Sequence, residues 1–531
     1  MKSSHNNVIL KTKKQEVLMK KIAFLFVTMI VLLIGCSKDN YDDATKIVLS
    51  DSGIIVNEEV ISTDSTAAVY TANDIVYYEA DKGFTYGEGT SKDEHTAEEA
   101  ISHSVIHITE PGRYLLSGKL SAGQVAIDLG EEAKDNPDAV VTLILDGVDI
   151  NCSVAPAVIF YNVYECGDKG NATKDVDTSK AGANVIIADG SVNNINGSHV
   201  ARIYKSYELN EEGTEVIDNK KLHKYDAAFY SKMTMNVNGG AKGTGELNIV
   251  ADNEGLDSEL HLTINGGNIN ITSGNDGINT NEDGISVTTV NGGNLKINVT
   301  GLTGEGDGID SNGWLVINGG SVITSACGFS GDAGIDSDMG IHINGGTVMA
   351  SGNMLDRISE SNQNYAVFSY ASSQKGGQTY TLKNKKNKDV LEVTPENDFL
   401  ILILSSKDLK EGIYTLWNGD VQLSGYAGEN GMRGFGGFGG GNMMKPEGIE
   451  KPEEGTRPPE GFTKPDGTKR PEGFKKPERT EMPDETEVPE EIKIPEGEIK
   501  RPDRGQIQTG EKMTEFEIVE GGNYFSLNEK M

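Results

Sequence analysis

The chain has 531 residues, with 81 Asp and Glu against 48 Lys and Arg, and a formal net charge of −33. So acidic a balance excludes nucleic acid as a partner and excludes direct electrostatic adhesion to anionic lipid. The length exceeds one ordinary domain, but an array that grows in one dimension escapes the usual size limit. Its 65 Gly suit a fold made of many tight turns.

At the N-terminus, Met19-Lys20-Lys21 opens a short basic region, Ile22 to Ile34 is apolar, and Leu33-Ile34-Gly35-Cys36 has the form of a bacterial lipoprotein cleavage box. The apolar stretch is too short to span a bilayer stably. Resemblance to lipoprotein signals implies that Cys36 is lipidated and holds the protein on a membrane. Residues 1–18 are then an extended leader or a start-site artefact. The acidic Ser37-Lys38-Asp39-Asn40-Tyr41-Asp42-Asp43 is similar to the surface-export tags of Bacteroidota lipoproteins. That similarity implies a cell-envelope protein anchored to the outer membrane and displayed on the surface; an ordinary periplasmic tether is the alternative. Residues 1–35 are thus read as leader and signal, and 36–83 as a tether.

Strand-like segments follow at Ile108 to Gly118 and Val141 to Ile150. After Cys36 there remain Cys152, Cys166 and Cys327. The first two are close enough in sequence to pair in an oxidising compartment, and Cys327 has no obvious mate. No CxxC, HExxH, GxSxG or phosphate-loop pattern occurs.

Five Asn-Gly-Gly triplets begin at Asn238, Asn265, Asn291, Asn318 and Asn344, at intervals of 27, 26, 27 and 26 residues. Each follows an apolar residue, and four of them have another apolar residue two positions later (Ile269, Leu295, Val322, Val348). Short strands therefore flank a Gly-bearing turn. A unit of this size cannot bury an apolar face alone, but stacked units share a continuous core. The expected fold is all-β, a right-handed parallel β-helix of about 26–27 residues per coil.

A second motif keeps the same period: Asn253-Glu254-Gly255-Leu256-Asp257-Ser258, Asn275-Asp276-Gly277-Ile278-Asn279-Thr280, Gly306-Asp307-Gly308-Ile309-Asp310-Ser311 and Gly331-Asp332-Ala333-Gly334-Ile335-Asp336-Ser337. Asp226 to Ser231 is a degenerate first copy, and a four-residue insertion sits around Glu282-Asp283-Gly284. Aligned, Phe229, Leu256, Ile278, Ile309 and Ile335 form an inward column, and Tyr230, Asp257, Asn279, Asp310 and Asp336 an outward one. Stacked strands lie about 4.8 Å apart, so the carboxylates crowd. Between Asp226 and Gly352 there are fifteen Asp or Glu, three Lys (Lys232, Lys242, Lys296) and no Arg. Crowded like charges raise each other's pKa or recruit a cation. Oxygen-only donors suit Ca²⁺ better than a transition metal. The candidate ligands are Asp257, Asp276, Asn279, Asp307, Asp310, Asp332, Asp336 and Asp338, with a solvated acidic surface as the alternative. Gly304 to Asp310 also resembles the nine-residue calcium repeats of secreted toxins, but it never recurs at nine residues.

Tyr365 to Tyr426 reads as further β structure, with Phe399 to Leu404 and Gly412 to Trp417 as strands that cap the array against exposed edges. Gly434 to Gly441 is a flexible hinge. From Pro446 to Pro502 lie eleven of the fifteen Pro, interleaved with Lys, Arg and Glu, a composition expected to be extended and disordered. Two strand-like pieces close the chain, Phe516 to Val519 and Asn523 to Leu527. Residues 365–426 are read as a β cap, 427–505 as hinge and Pro-rich linker, and 506–531 as C-terminal strands.

Taken together, Ile108 to Gly118, Val141 to Ile150, Asp226 to Lys232 and the Asp-Gly-Ile-Asp-Ser with Ile-Asn-Gly-Gly units resemble the bacterial carbohydrate-binding domain family first described in a cellulolytic clostridium. The resemblance runs from about Phe84 to about Tyr426, with residues 84–364 as the β-helix domain. It implies a parallel β-helix that binds calcium at acidic turns and binds plant cell-wall polysaccharide, notably acidic pectin-type chains, on an architecture shared with pectate lyases. Asn279, the insertion at Glu282 and the segment from Ala201 to Tyr225 depart from the pattern.

Three functional classes stay open. The first is non-catalytic, calcium-dependent binding of an acidic plant or microbial glycan, with Trp314 and Phe329, both at turn positions, as ring-stacking residues; core packing is the alternative for either ring. The second is a polysaccharide lyase, in which calcium acidifies a proton that a Lys or Arg removes. The coils offer it only Lys232, Lys242 and Lys296, and Lys296 alternates with apolar residues as a solvated side chain would. The third is a structural or adhesive surface protein with purely structural calcium.

Overall fold

The computed structural model describes residues 41–75, 97–167, 170, 172–200, 204–209, 216–221, 225–428 and 512–527. The signal region, Cys36 and nearly all of 427–505 lie outside the described residues. Among those described, the chain is all-β, with sheets of 22, 8, 5 and 2 strands. A five-residue helix, Ala97–Ile101, and a 3-10 turn, Glu131–Asp135, interrupt it. No described helix is long and apolar enough to cross a membrane.

Each repeat supplies three short strands, and each strand pairs in parallel with its counterpart one repeat away. In the 8-stranded sheet, Val158–Asn162, Ala227–Ser231, Glu254–Ser258, Ile278–Thr280 and Ile309–Ser311 follow one another. Phe229, Leu256, Ile278 and Ile309 align there as one column, each 0% exposed. A second stack runs through Met235–Gly239, His261–Ile264, Val287–Val290, Trp314–Ile317 and Gly340–Ile343. A third runs through Val192–Gly197, Glu246–Ala251, Asn268–Ser273, Asn294–Val299, Ser321–Ser325 and Thr347–Gly352. Alternation puts Ile249, Ile271 and Ile297 inward from the third stack, into the same apolar cluster as Leu256 and Ile264. Each such Leu or Ile contributes about 1.5–3 kcal/mol on burial.

The Asn-Gly-Gly turns have a distinct physical cause. The five Asn side chains form a ladder: Asn265 donates to Asn238 at 2.9 Å, Asn291 to Asn265, Asn318 to Asn291 and Asn344 to Asn318 at 2.8 Å each, and Asn362 extends it to Asn344 at 3.0 Å. In four of the five triplets the third residue takes a left-handed φ, +85° at Gly293 and +76° at Gly320. A Cβ on Gly320 would also lie 2.6 Å from the carbonyl oxygen of Gly293 in the repeat below. Gly320→Ala is therefore expected to cost about 3 kcal/mol from backbone strain and overpacking together. Chemical denaturation checks it; an unchanged midpoint would refute the turn assignment.

At the far end, Phe399–Ser406 pairs antiparallel with Thr347–Gly352 and with Tyr365–Gln374. Gly522–Leu527 adds in parallel to Tyr365–Gln374, and Phe516–Ile518 joins Gly412–Asn418. Phe368, Phe399, Phe516 and Phe525 fill a second, aromatic core here. The anticipated proximity of Cys152 and Cys166 does not make a disulfide: both are free thiols, as is Cys327. Cys152 is buried, and burial lifts its thiol to about 12. The departing segment after Ala201 includes an antiparallel hairpin, Tyr204–Leu209 with Val216–Lys221.

Candidate functional site

The acidic motif occupies the last three strands at one end of the 8-stranded sheet, with Ile309–Ser311 as its edge. Tyr230, Asp257, Asn279 and Asp310 occupy one register column, as the alignment of repeats requires. The column is not solvated: Asp257 is 0%, Asn279 4% and Asp310 9% exposed. Asp336 continues it without forming a regular strand, its amide donating to the Ile309 carbonyl at 2.7 Å. One oxygen from each of Asp307, Asp310 and Asp336 lies within 4.8 Å of the others.

Asp276 and Asp307, three residues before Asn279 and Asp310, act as clamps between repeats. Asp276 Oδ1 accepts from the Asp307 amide at 2.7 Å, and Asp307 Oδ1 accepts from the Ala333 amide at 2.6 Å. The fourth motif copy has one extra residue, so Asp332 slips out of that role and accepts from the Gly306 amide instead, at 2.7 Å. Burial, then Asp310, Glu254 and Asp332, push Asp276 well above the usual carboxylate range, against the pull of the Asp307 amide. Burial also lifts Asp307, with Asp276, Asp336 and Asp310 adding to the effect.

At the second copy an amide separates the carboxylates. Asn279 Nδ2 donates to Glu254 Oε1 at 3.0 Å and to Asn281 Oδ1 at 3.2 Å, while Asn281 donates to Asp257 Oδ1 at 2.6 Å. Asn279 Oδ1 is buried and has no hydrogen-bond partner among the described residues. The insertion folds back on the next repeat, where Asn312 donates to Asp283 Oδ1 at 3.2 Å.

Of the sequence candidates, then, Asp307, Asp310 and Asp336 converge, with Asn279 one strand away. Asp276 and Asp332 hold backbone amides, and Asp257 is bound by Asn281. Asp338 is exposed and lies outside the three-carboxylate group. Two acids were missed. Glu254 fills the motif position of Asp276 and Asp307, a signal the sequence carried. Asp356 lies outside the motif; its Oδ2 accepts from the Ser337 amide at 3.0 Å, and burial raises its pKa.

The two aromatic candidates separate. Phe329 is 71% exposed beside Leu302 at 72%, its ring resting on the Gly301 backbone, where a Cβ would meet Phe329 Cζ at 2.7 Å. Trp314, expected in a turn, instead opens a strand in register with Val287 and Gly340 and is half-buried. Lys296 is solvent-exposed, as its alternation with apolar residues requires, and its ammonium pairs with Glu396 at 2.6 Å.

The chain is similar to known carbohydrate-binding domain-containing proteins. A carbohydrate-binding domain-containing protein of Acetivibrio thermocellus is 29% identical over 174 residues, 32% of this chain and 46% of that relative, so the match spans about half of the relative's length. A solved polysaccharide lyase-like protein from C. thermocellum aligns at 17% identity over 60% of this chain and 90% of its own, with a TM-score of 0.32. The family profile described as carbohydrate-binding domain-containing protein matches residues 102–388. Because that span is more than half of the chain and contains every carboxylate of the acidic motif, this protein belongs to the family of carbohydrate-binding domain-containing proteins.

Proposed function

We propose that the protein is a non-catalytic binder of acidic, pectin-like polysaccharide, built as a right-handed parallel β-helix and dependent on calcium. The strand pairing of each repeat with the next, in three stacks, supports the β-helix reading. The observation that carries the calcium reading is the convergence of Asp307, Asp310 and Asp336 beside the unpartnered, buried Asn279 Oδ1. These donors fit the ion, being hard oxygens without His or Cys. Bound calcium would offset the crowded negative charge and present a cation to a uronate carboxylate that the −33 chain otherwise repels. Phe329 would offer its exposed face to a sugar ring.

The binding reading is favoured over a lyase by Lys296, whose ammonium is tied to Glu396 rather than available as a base. Lipidation at Cys36, with display on the outer membrane, completes the proposal. Affinity electrophoresis in polygalacturonate tests it: retention is expected with calcium and lost in chelator while the far-ultraviolet circular dichroism stays unchanged. Retention that persists in chelator would reject the ion-bridged site, and growth of unsaturated product would reject a purely binding role.

A further inference from the structure

Away from the acidic edge, one outward column of the third stack is built on a different chemistry. In register it reads Lys119, Asp149, Asn194, Asn248, Asn270, Lys296. The central amides form a ladder, Asn248 Nδ2 donating to Asn194 Oδ1 at 3.1 Å and Asn270 Nδ2 to Asn248 Oδ1 at 2.9 Å. Every charge in the column is matched inside the protein, Lys119 by Asp149 at 2.8 Å and Lys296 by Glu396 at 2.6 Å. The result is an electrically balanced strip, six strands across and about 24 Å long at ordinary strand spacing, on a chain of net charge −33.

Its borders are apolar and amide. Val192 is 54% and Val250 48% exposed, two residues before Asn194 and two after Asn248. Asn294 donates to Asn268 at 2.7 Å in the column on the Val192 side, where Glu246 is the one carboxylate among Val192, Glu246, Asn268 and Asn294. Asn248 spends one N–H and one oxygen lone pair within the ladder, which leaves it a donor and an acceptor. A sugar hydroxyl likewise donates and accepts, and its C–H face packs on a valine. Side chains already locked by the ladder lose little entropy when a ligand arrives. A charged polymer finds no excess counter-charge here, whereas an uncharged one meets a surface of matching polarity and length.

We propose that this strip is a second, metal-independent site for an uncharged polysaccharide lying across the strands. It does not rest on the calcium reading. Affinity electrophoresis of the full chain in chelator, in gels containing soluble mixed-linkage β-glucan or galactomannan, tests it. The wild type is expected to be retarded by at least one of the two. Asn248→Asp with Asn270→Asp, which puts like charges in the strip, should weaken retention at least tenfold, and Val250→Glu, which leaves the ladder intact, should also weaken it. Asp310→Ala with Asp336→Ala should leave this retention unchanged while abolishing retention by polygalacturonate with calcium, so the two sites fail separately. No retardation by either polymer, or retardation that both strip variants preserve, would overturn the proposal. So would concentration-dependent self-association lost in the strip variants without any glycan retention, because the face would then be an interface between copies of the chain.

Discussion

Asp310→Ala combined with Asp336→Ala is expected to weaken calcium binding by about a hundredfold, close to 2.7 kcal/mol. The two substitutions remove two of the three carboxylates whose oxygens lie within 4.8 Å of one another and leave Asp307 alone. Affinity for this ion follows the charge count of its oxygen ligands. Relief of like-charge repulsion acts in the opposite sense on the metal-free protein, which should become more stable, not less. Asp338→Ala is the matched control, since Asp338 is exposed and outside the group. Calorimetric titration reads all three proteins; an isotherm unchanged in the double variant would end the site assignment.

Metal-free protein should also lose stability as pH rises above the ordinary aspartate value of 3.8, the reverse of the usual trend for carboxylates. Asp276 and Asp307 are both held well above their ordinary value of 3.8 by burial and by neighbouring acids. Between that value and the raised one, the native state binds more protons than the unfolded chain, so unfolding becomes easier with each increment of pH. The stabilising contribution is complete below 3.8 and is gone once pH passes the raised values. Each unit of separation is worth about 1.4 kcal/mol. Asp51, Asp189 and Asp398, held low by hydrogen bonds from Ser121, Thr244 and Lys375, carry the opposite sign but act only as pH falls toward 3.8 and below. Thermal melts in chelator across this window should therefore fall with pH, and saturating calcium should flatten the curve. A melting temperature that climbs steadily with pH above 3.8 without metal would contradict the buried, crowded geometry.

Much of the site was readable in advance because its spacing is enforced by backbone pairing. Asp257, Asn279 and Asp310 share a column since Leu256, Ile278 and Ile309, their inward neighbours, must stack. Glu254 stands where Asp276 and Asp307 stand, so the motif spacing alone places a further acid at this position. Trp314 lies at a turn position by sequence, but pairing with Val287 draws it into a strand. Alternation alone places Lys296 in solvent, where its side chain is 51% exposed, but cannot give its pairing with Glu396, which lies 100 residues away in the cap.

Period, composition and charge, all local or additive properties, determined the all-β class, the repeat boundaries, the inward columns and the acidic edge. Alternating side chains and Gly-permitted turns leave the backbone few other ways to bury its apolar face. Long-range contact alone decided which three carboxylates converge, how the extra residue at Ala333 turns Asp332 aside, which lysines are neutralised, and that Asn194, Asn248 and Asn270 form a continuous ladder. Those outcomes depend on register shifts of single residues and on partners far away in sequence, and the free energies that select them are set only when the repeats meet.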